Sequence, residues 1–138
     1  MAKDKIKIRS MQFGELEIAD ENIFTFPEGI LGFEDLKKYV LISDDNTAPF
    51  KWLLSIDSPE IGFPIISPWL IDLSYSPGKN YDYNQTIPMV IVTIGGGVGN
   101  MTANLKAPIL LDISDCTGEQ IIIPTDKYST NEVINQLI

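Results

Sequence analysis

The sequence predicts an all-β fold, an antiparallel barrel or sandwich with about nine or ten short strands. Short segments alternate between polar and apolar residues, as Lys5-Ile6-Lys7-Ile8-Arg9 does. Glycine and proline separate most of these segments, for example at Pro27-Glu28-Gly29. The chain has 138 residues and contains no internal repeat or linker, which predicts a single domain over residues 1–138.

The predicted strands follow one another along the whole chain. Alternating segments predict half-buried strands, and continuous apolar segments such as Tyr39-Val40-Leu41-Ile42 predict strands buried on both faces. Asp57-Ser58-Pro59 and Thr117-Gly118 are predicted turns. The predicted strands are Lys5–Arg9, Glu15–Ile18, Ile23–Phe26, Tyr39–Ile42, Phe50–Ile56, Ile61–Ile66, Met89–Ile94, Met101–Leu105, Ile109–Ile113 and Gln120–Ile123.

One short helical insertion is predicted from Phe33 to Lys38. Phe33 and Leu36 are three residues apart and would share one face, while Glu34 and Lys38 are four apart on another. Gly32 is an acceptable N-cap. The polar, Tyr- and Asn-rich stretch from Ser74 to Ile87 predicts a long loop.

Composition argues against several classes of function. The chain has no histidine, which removes the usual general base and most zinc sites, so we expect no enzyme. Its net charge of −9 disfavours direct contact with nucleic acid or an anionic membrane. The charged N-terminus is followed by no apolar stretch, and Cys116 is the single cysteine, so we expect a cytoplasmic protein.

The motifs that suggest chemistry fail on their spacing. Gly95-Gly96-Gly97-Val98-Gly99 lacks the lysine and helix of a phosphate loop and predicts a hairpin loop instead. Asp44-Asp45-Asn46 begins like a calcium loop, but Pro49 and Ser55 occupy its glycine and closing-acid positions. Cys116 has no basic neighbour in the sequence and predicts an inert thiol.

Several segments resemble one family, the bacterial flagellar assembly factor FliW. The similar segments are Phe13-Gly14-Glu15-Leu16-Glu17-Ile18, Phe26 to Glu34 (FPEGILGFE), Pro49-Phe50-Lys51-Trp52-Leu53, Met101 to Pro108 (MTANLKAP) and Tyr128. They occur in the family's order over nearly the whole chain. Leu54 and Asn131 depart from the family pattern, in which glutamine and arginine are expected. Tyr81 to Thr86 and Gly95 to Gly99 also depart from it, because a more acidic region is expected there.

The resemblance implies a compact antiparallel β-barrel with no catalytic activity and no cofactor. It also implies two protein partners: flagellin, held before secretion, and the RNA-binding translational repressor CsrA, which the factor antagonises once flagellin is exported. The acidic balance of the chain suits a basic RNA-binding partner. The predicted partner-binding residues, mostly motif positions with Asp57 added as an acid beside the Trp52 strand, are Phe13, Glu15, Glu34, Phe50, Trp52, Asp57, Asn104 and Tyr128.

Two other functions remain open on the sequence. A small barrel can bind an apolar ligand or metabolite in its interior, which a pair of inward-facing polar residues would support. A carboxylate hydrolase without histidine can be built on loop acids such as Asp57 and Glu60.

Overall fold

The structure, a computed structural model, describes residues 6–78, 81–95 and 100–134. Within these ranges the chain is almost entirely strand and turn, with three single-turn 3₁₀ helices at Asp20–Asn22, Asp45–Thr47 and Pro68–Leu70. The strands are β1 Ile6–Ser10, β2 Gly14–Ile18, β3 Ile23–Thr25, β4 Lys38–Ser43, β5 Lys51–Ser55, β6 Gly62–Ile66, β7 Thr86–Ile94, β8 Met101–Ala103, β9 Ile109–Asp112, β10 Thr117–Gln120 and β11 Glu132–Val133.

Seven of these strands close into a barrel, which confirms the predicted class. Neighbours pair in the order β7-β6-β5-β4-β3-β10-β9, and β9 pairs back onto β7. All but one of these pairings are antiparallel. The exception joins β10 to β3 in parallel through the single register pair Thr117 and Thr25. This short seam is the narrowest junction in the ring.

Side chains fill the inside of the barrel. Alternate residues of each strand point inward, as Ile109 and Leu111 do from β9. The buried interior cluster is Phe24, Phe26, Ile30, Tyr39, Leu53, Ile65, Met89, Ile109 and Leu111. A small barrel closed in this way is a packed core.

Two further layers cover the outside of the barrel. The β1–β2 ribbon packs Ile8 and Ile18 onto Val40 and Leu54, which face outward from β4 and β5. On the other side, a layer around Tyr75, Leu105 and Tyr128 packs onto the outer faces of β6 and β7. Strands β4 to β7 are therefore buried on both faces, which explains their continuous apolar sequences.

The predicted helix from Phe33 to Lys38 is wrong. Gly29 and Gly32, which precede the segment, have left-handed φ values of +69° and +88°. Phe33 instead forms an isolated bridge with Ile30, and its ring packs edge-on against Phe63 at a centroid distance of 5.1 Å. Tertiary packing of one aromatic ring outweighs the weak helical spacing, and the segment forms turns.

The last predicted hairpin is displaced in sequence. Thr117 and Gly118, predicted as a turn, are the first residues of β10, and the turn lies at residues 113–116. Asp112 closes this turn, because its Oδ1 accepts hydrogen bonds from the backbone N–H groups of Ser114 and Asp115, both at 3.0 Å. The predicted strand Gln120–Ile123 continues beyond β10 with only scattered backbone bonds.

The predicted hairpin at Gly95–Gly99 agrees with the pairing of β7 and β8, in which Ile94 lies opposite Met101. Residues 96–99 lie outside the described residues. Among the residues that the structure describes, no helix has the length and apolar character needed to cross a membrane.

Candidate protein-binding surface

Two of the predicted site residues meet at the end of the β1–β2 ribbon. Phe13 lies in the turn between these strands, and its ring contacts Trp52 of β5 edge-on with centroids 5.8 Å apart. The Trp52 Nε1–H donates a hydrogen bond to Thr47 Oγ1 at 3.1 Å. Both rings are half-buried, so each is fixed on one side and accessible on the other. Aromatic side chains held in this way are typical anchors for a partner protein.

The turn that carries Phe13 is held by a buried serine. Ser10 Oγ accepts hydrogen bonds from the backbone N–H groups of Gln12 and Phe13 at 3.1 and 3.2 Å. Gly14 follows with φ of +72°, a conformation that favours glycine and lets the chain reverse into β2. The sequence therefore specifies a tight turn whose residues have little freedom.

Met11 occupies the same turn, and sequence reasoning missed it. Its side chain is fully exposed, at 100% of its reference area. An unbranched, polarisable side chain presented at a turn adapts readily to an apolar depression on a partner. The only signal in the sequence was an apolar residue between Ser10 and Gln12, where a turn is normally polar. Met11, Phe13 and Trp52 are called the aromatic tip below.

Glu15 lies beside the aromatic tip but is held only loosely. It is opposite Arg9 in the β1–β2 register, and the two side chains form an exposed ion pair at 3.9 Å. Such a pair contributes little to stability. Glu15 therefore remains free to exchange its partner for a basic group on another protein.

Phe50, Asn104 and Tyr128 belong to the outer layer over β6 and β7. Phe50 and Tyr128 pack in that layer's apolar cluster, and Tyr128 is only 6% exposed. The Tyr128 hydroxyl accepts a hydrogen bond from the Ser76 backbone N–H at 2.9 Å. Asn104 Oδ1 accepts one from the Ala107 N–H at 3.0 Å. These hydrogen bonds show that Asn104 and Tyr128 have a structural role within the chain.

Glu34 stabilises the turn that replaces the predicted helix. Its Oε2 accepts a hydrogen bond from the Gly32 N–H at 2.9 Å, and this bond lowers the pKa of the Glu34 carboxyl below its usual range. A Cβ on Gly29 would lie 2.6 Å from the Glu34 Cα, so only glycine fits there. Much of the Phe26–Glu34 motif is thus explained by backbone geometry.

Asp57 lies in the exposed turn after β5 and is not brought to the aromatic tip by the fold. Glu60 lies in the same turn and is also exposed. The hydrolase alternative needs two carboxylates facing one enclosed site. Two exposed carboxylates on one turn give that hypothesis no support.

The barrel interior gives little support to the apolar-ligand alternative. The inward-facing side chains of the described strands form one contiguous apolar cluster. Within the described residues, the one buried side-chain polar atom that lacks a hydrogen-bond partner is the Tyr39 hydroxyl, whereas the hypothesis called for a pair of inward polar groups.

The departures at Leu54 and Asn131 have a local explanation. Leu54 is 4% exposed and packs beneath the β1–β2 ribbon, so an apolar residue suits its position. Asn131 Oδ1 accepts a hydrogen bond from the Ser129 hydroxyl at 2.7 Å in the turn before β11. Neither residue contacts the aromatic tip in any described interaction.

Comparison with known proteins agrees with this architecture. The family model described as FliW protein matches residues 7–134. A flagellar assembly factor FliW of Caldanaerobacter subterraneus subsp. tengcongensis is 38% identical over 133 residues, covering 89% of each chain. The FliW of Leptospira interrogans is 34% identical over 140 residues, covering 94% of this chain and 93% of its own. A crystal structure of the flagellar assembly factor FliW superposes with a TM-score of 0.84 and 28% identity, covering 93% of this chain and 96% of that one.

The fold and the surface define a small closed β-barrel with a flanking two-stranded ribbon whose end presents a fixed aromatic tip. The family match and these relatives, taken with the shared barrel, place the chain more narrowly. It belongs to the FliW family of flagellar assembly factors.

Proposed function

We propose that this protein is a non-enzymatic binding factor that holds flagellin before export and antagonises a CsrA-type translational repressor. The observation that supports this proposal most strongly is the family match over residues 7–134, which includes the β1–β2 turn and the Trp52 strand. Binding of either partner excludes or follows binding of the other. Export of flagellin then frees the factor to bind the repressor, and flagellin translation resumes. The factor binds both partners in the cytoplasm.

The physical features of the surface support a protein-binding role. The aromatic tip offers one fully exposed apolar side chain and two half-buried rings. Interfaces are typically anchored by a few such residues, surrounded by polar contacts that exclude water. The net charge of −9 favours encounter with a basic partner, and a repressor that binds RNA must be basic.

The eight predicted site residues divide into contact and support roles under this proposal. We assign direct partner contact to Phe13, Glu15 and Trp52, joined by Met11. Phe50, Asn104 and Tyr128 shape the outer layer, and Glu34 holds its turn. Asp57 remains a prediction that its position after β5 neither favours nor opposes.

Substitution at the aromatic tip tests this assignment. Met11→Ala removes a side chain with no packing role, and Trp52→Ala removes an interface anchor. We expect Trp52→Ala to weaken binding of at least one partner about tenfold or more, and Met11→Ala to weaken it less. Calorimetric titration with flagellin and with the repressor from the same bacterium measures both effects.

Ile122→Ala is the matched control, since Ile122 is apolar and 60% exposed outside the aromatic tip. The thermal transition of Trp52→Ala should stay within a few degrees of that of the unsubstituted protein. Unchanged affinity for both partners in Met11→Ala and Trp52→Ala would remove the aromatic tip from the site. Loss of the folded state in Trp52→Ala, with normal binding by Met11→Ala, would do the same.

A further inference from the structure

A cleft of about 440 Å³ lies on the outer face of the barrel, separate from the aromatic tip. Its floor is made by β7, β9 and β10. Leu110 lies opposite Glu119 in the β9–β10 register, and Thr86 lies opposite Asp112 in the β7–β9 register. Since Ile109 and Leu111 point into the barrel, the alternating residues Leu110 and Asp112 point out into the cleft.

Two segments outside these strands form the walls. The turn after β3 contributes Pro27 and Glu28, and the loop before β7 contributes Tyr81. Leu110 is 3% exposed, so the walls leave it as a deep apolar floor. Glu28 and Glu119 are exposed at the rim of the cleft.

The charge of the cleft is one-sided. Among the described residues that line it, Glu28, Asp112 and Glu119 are acidic, and none is basic. Asp112 is occupied by the turn it closes, and the hydrogen bonds from Ser114 and Asp115 lower the pKa of its carboxyl. Its Oδ1 is therefore engaged by the turn. Glu28 and Glu119 are the carboxylates free to turn towards an occupant.

The combination of groups matches one kind of side chain. An arginine has an apolar stem, which the apolar residues Leu110 and Pro27 accommodate, and a planar cation. A guanidinium stacks on aromatic faces such as Tyr81 and pairs well with carboxylates. Lys37 donates from Nζ to the Pro27 carbonyl at 3.1 Å, but Lys37 is not among the lining residues and leaves the cleft negative.

We propose that this cleft receives an arginine side chain from a basic protein partner, with Glu28 and Glu119 pairing the guanidinium and Leu110 supporting its stem. The cleft is a second contact site, on the outer face of β9 and β10, whereas the aromatic tip lies at the end of the β1–β2 ribbon. The identity of that partner as the CsrA-type repressor rests on the function proposed above. The chemistry of the cleft does not depend on it.

The test compares two double variants with the same change of net charge. Glu28→Gln/Glu119→Gln neutralises the rim of the cleft, and Asp45→Asn/Glu60→Gln neutralises two exposed acids elsewhere. Each exposed ion pair is worth up to about fivefold in affinity, so the cleft variant should bind the repressor about tenfold more weakly. The control variant should change affinity less than about twofold, and the difference should shrink at high salt.

Equal weakening in both variants would mean that only the overall charge matters, and would overturn the proposal. No weakening in the cleft variant would overturn it as well. Thermal transitions of both variants establish that they are folded.

A second arm separates this proposal from the proposed function. If the unsubstituted protein does not bind the repressor, the partner assignment fails, and the cleft is titrated with N-acetyl-arginine amide and observed by NMR. Shifts at the backbone amides of Tyr81, Thr117 and Gly118 that vanish in Glu28→Gln/Glu119→Gln support the cleft. Absence of those shifts, or equal shifts in the cleft variant, overturns it. Tighter binding of spermidine than of the arginine probe would point to a small polyamine and would also overturn the proposal.

Discussion

Tyr39 places a phenol hydroxyl inside an apolar barrel. The residue is fully buried, its ring packs edge-on against Phe26 at 5.2 Å, and its hydroxyl has no hydrogen-bond partner among the described residues. Burial disfavours the phenolate and raises the pKa of Tyr39 to about 12. The ring therefore contributes to packing while its hydroxyl opposes folding, because an unpaired buried polar group costs free energy.

Tyr39→Phe should leave the free energy of unfolding unchanged or raise it by up to about 1 kcal/mol. The sign of its pH effect follows from the raised pKa. The stability linked to neutral Tyr39 is complete below pH 10 and is lost as the pH rises through about 12. The variant should therefore lose less stability on the alkaline side. Urea unfolding at pH 7 and pH 11 measures both effects, and a loss above about 1 kcal/mol at pH 7 would show that the hydroxyl has a partner.

Gly118 shows how a single backbone position can be misread from sequence. It was predicted as a turn, but it lies within β10, opposite Leu111, and faces the barrel interior. A Cβ there would lie 2.3 Å from the Cζ of Phe26, which a packed core does not permit. The glycine is needed for close approach rather than for a turn.

Gly118→Ala should lower the free energy of unfolding by about 1–3 kcal/mol, because it overpacks the interior. Adding Phe26→Leu makes room for the methyl group, so the double variant should be less destabilised than the sum of the two single variants. Urea unfolding of the three variants forms the cycle. If the changes in the free energy of unfolding were strictly additive, the methyl group added at position 118 and the Phe26 ring would not clash.

At the scale of elements, the sequence predicted strands better than it predicted their connections. Alternation located β1 and β2, and continuous apolar segments located β4 and β5, because periodicity of burial determines both signals. The segment from Phe33 to Lys38 was misassigned because its apolar residues serve contacts with distant strands. Contacts between residues far apart in the sequence, such as Phe33 with Phe63, leave no local pattern.

The β1–β2 ribbon depends on Ser10 for the shape of its turn. Ser10 is 3% exposed and its hydroxyl is the acceptor for two turn N–H groups. Ser10→Ala should destabilise the protein by about 1–2 kcal/mol and speed hydrogen exchange at Gln12 and Phe13. Ser43→Ala, at an exposed serine on β4, is the control and should change exchange in the turn little. Unchanged protection at Gln12 and Phe13 in Ser10→Ala would contradict this account of the tip.

At the scale of the whole molecule, aspartates shape several of the connecting turns. Asp72 and Asp112 each accept hydrogen bonds from a serine two residues later, and these bonds lower the pKa of both carboxyls. A lowered folded pKa stabilises the protein above the unfolded value of about 4, and that stabilisation is lost as the pH falls through the folded pKa. The recurring Asp-x-Ser pattern is readable from the sequence.

Acid unfolding tests this contribution. Asp72→Asn/Asp112→Asn keeps an acceptor oxygen in each turn but removes the titrating group. Between pH 5 and pH 3 the unsubstituted protein should lose more stability than this double variant, measured by urea midpoints. Equal losses of stability in the two proteins would mean that groups other than Asp72 and Asp112 cause the acid sensitivity.

The barrel could be predicted from the sequence, whereas much of the candidate site could not. Alternation and turn residues located β1 to β9, but β11 was not predicted. Closure depends on the β3–β10 seam, which no local signal marks. Phe13 and Trp52 were predicted as site residues, but the contact between their rings arises from tertiary structure and could not be predicted from the sequence. Met11 and the acidic cleft were missed, because turn conformation and strand register decide which side chains become neighbours.

The central claim, that two protein partners use this factor in turn, is tested most directly by one competitive titration. The purified protein is titrated with the repressor by calorimetry, first alone and then after saturation with flagellin. We expect binding near or below about micromolar for each partner, and repressor affinity that changes strongly once flagellin is bound. Absence of heat with both partners, or identical repressor binding with and without flagellin, would contradict it.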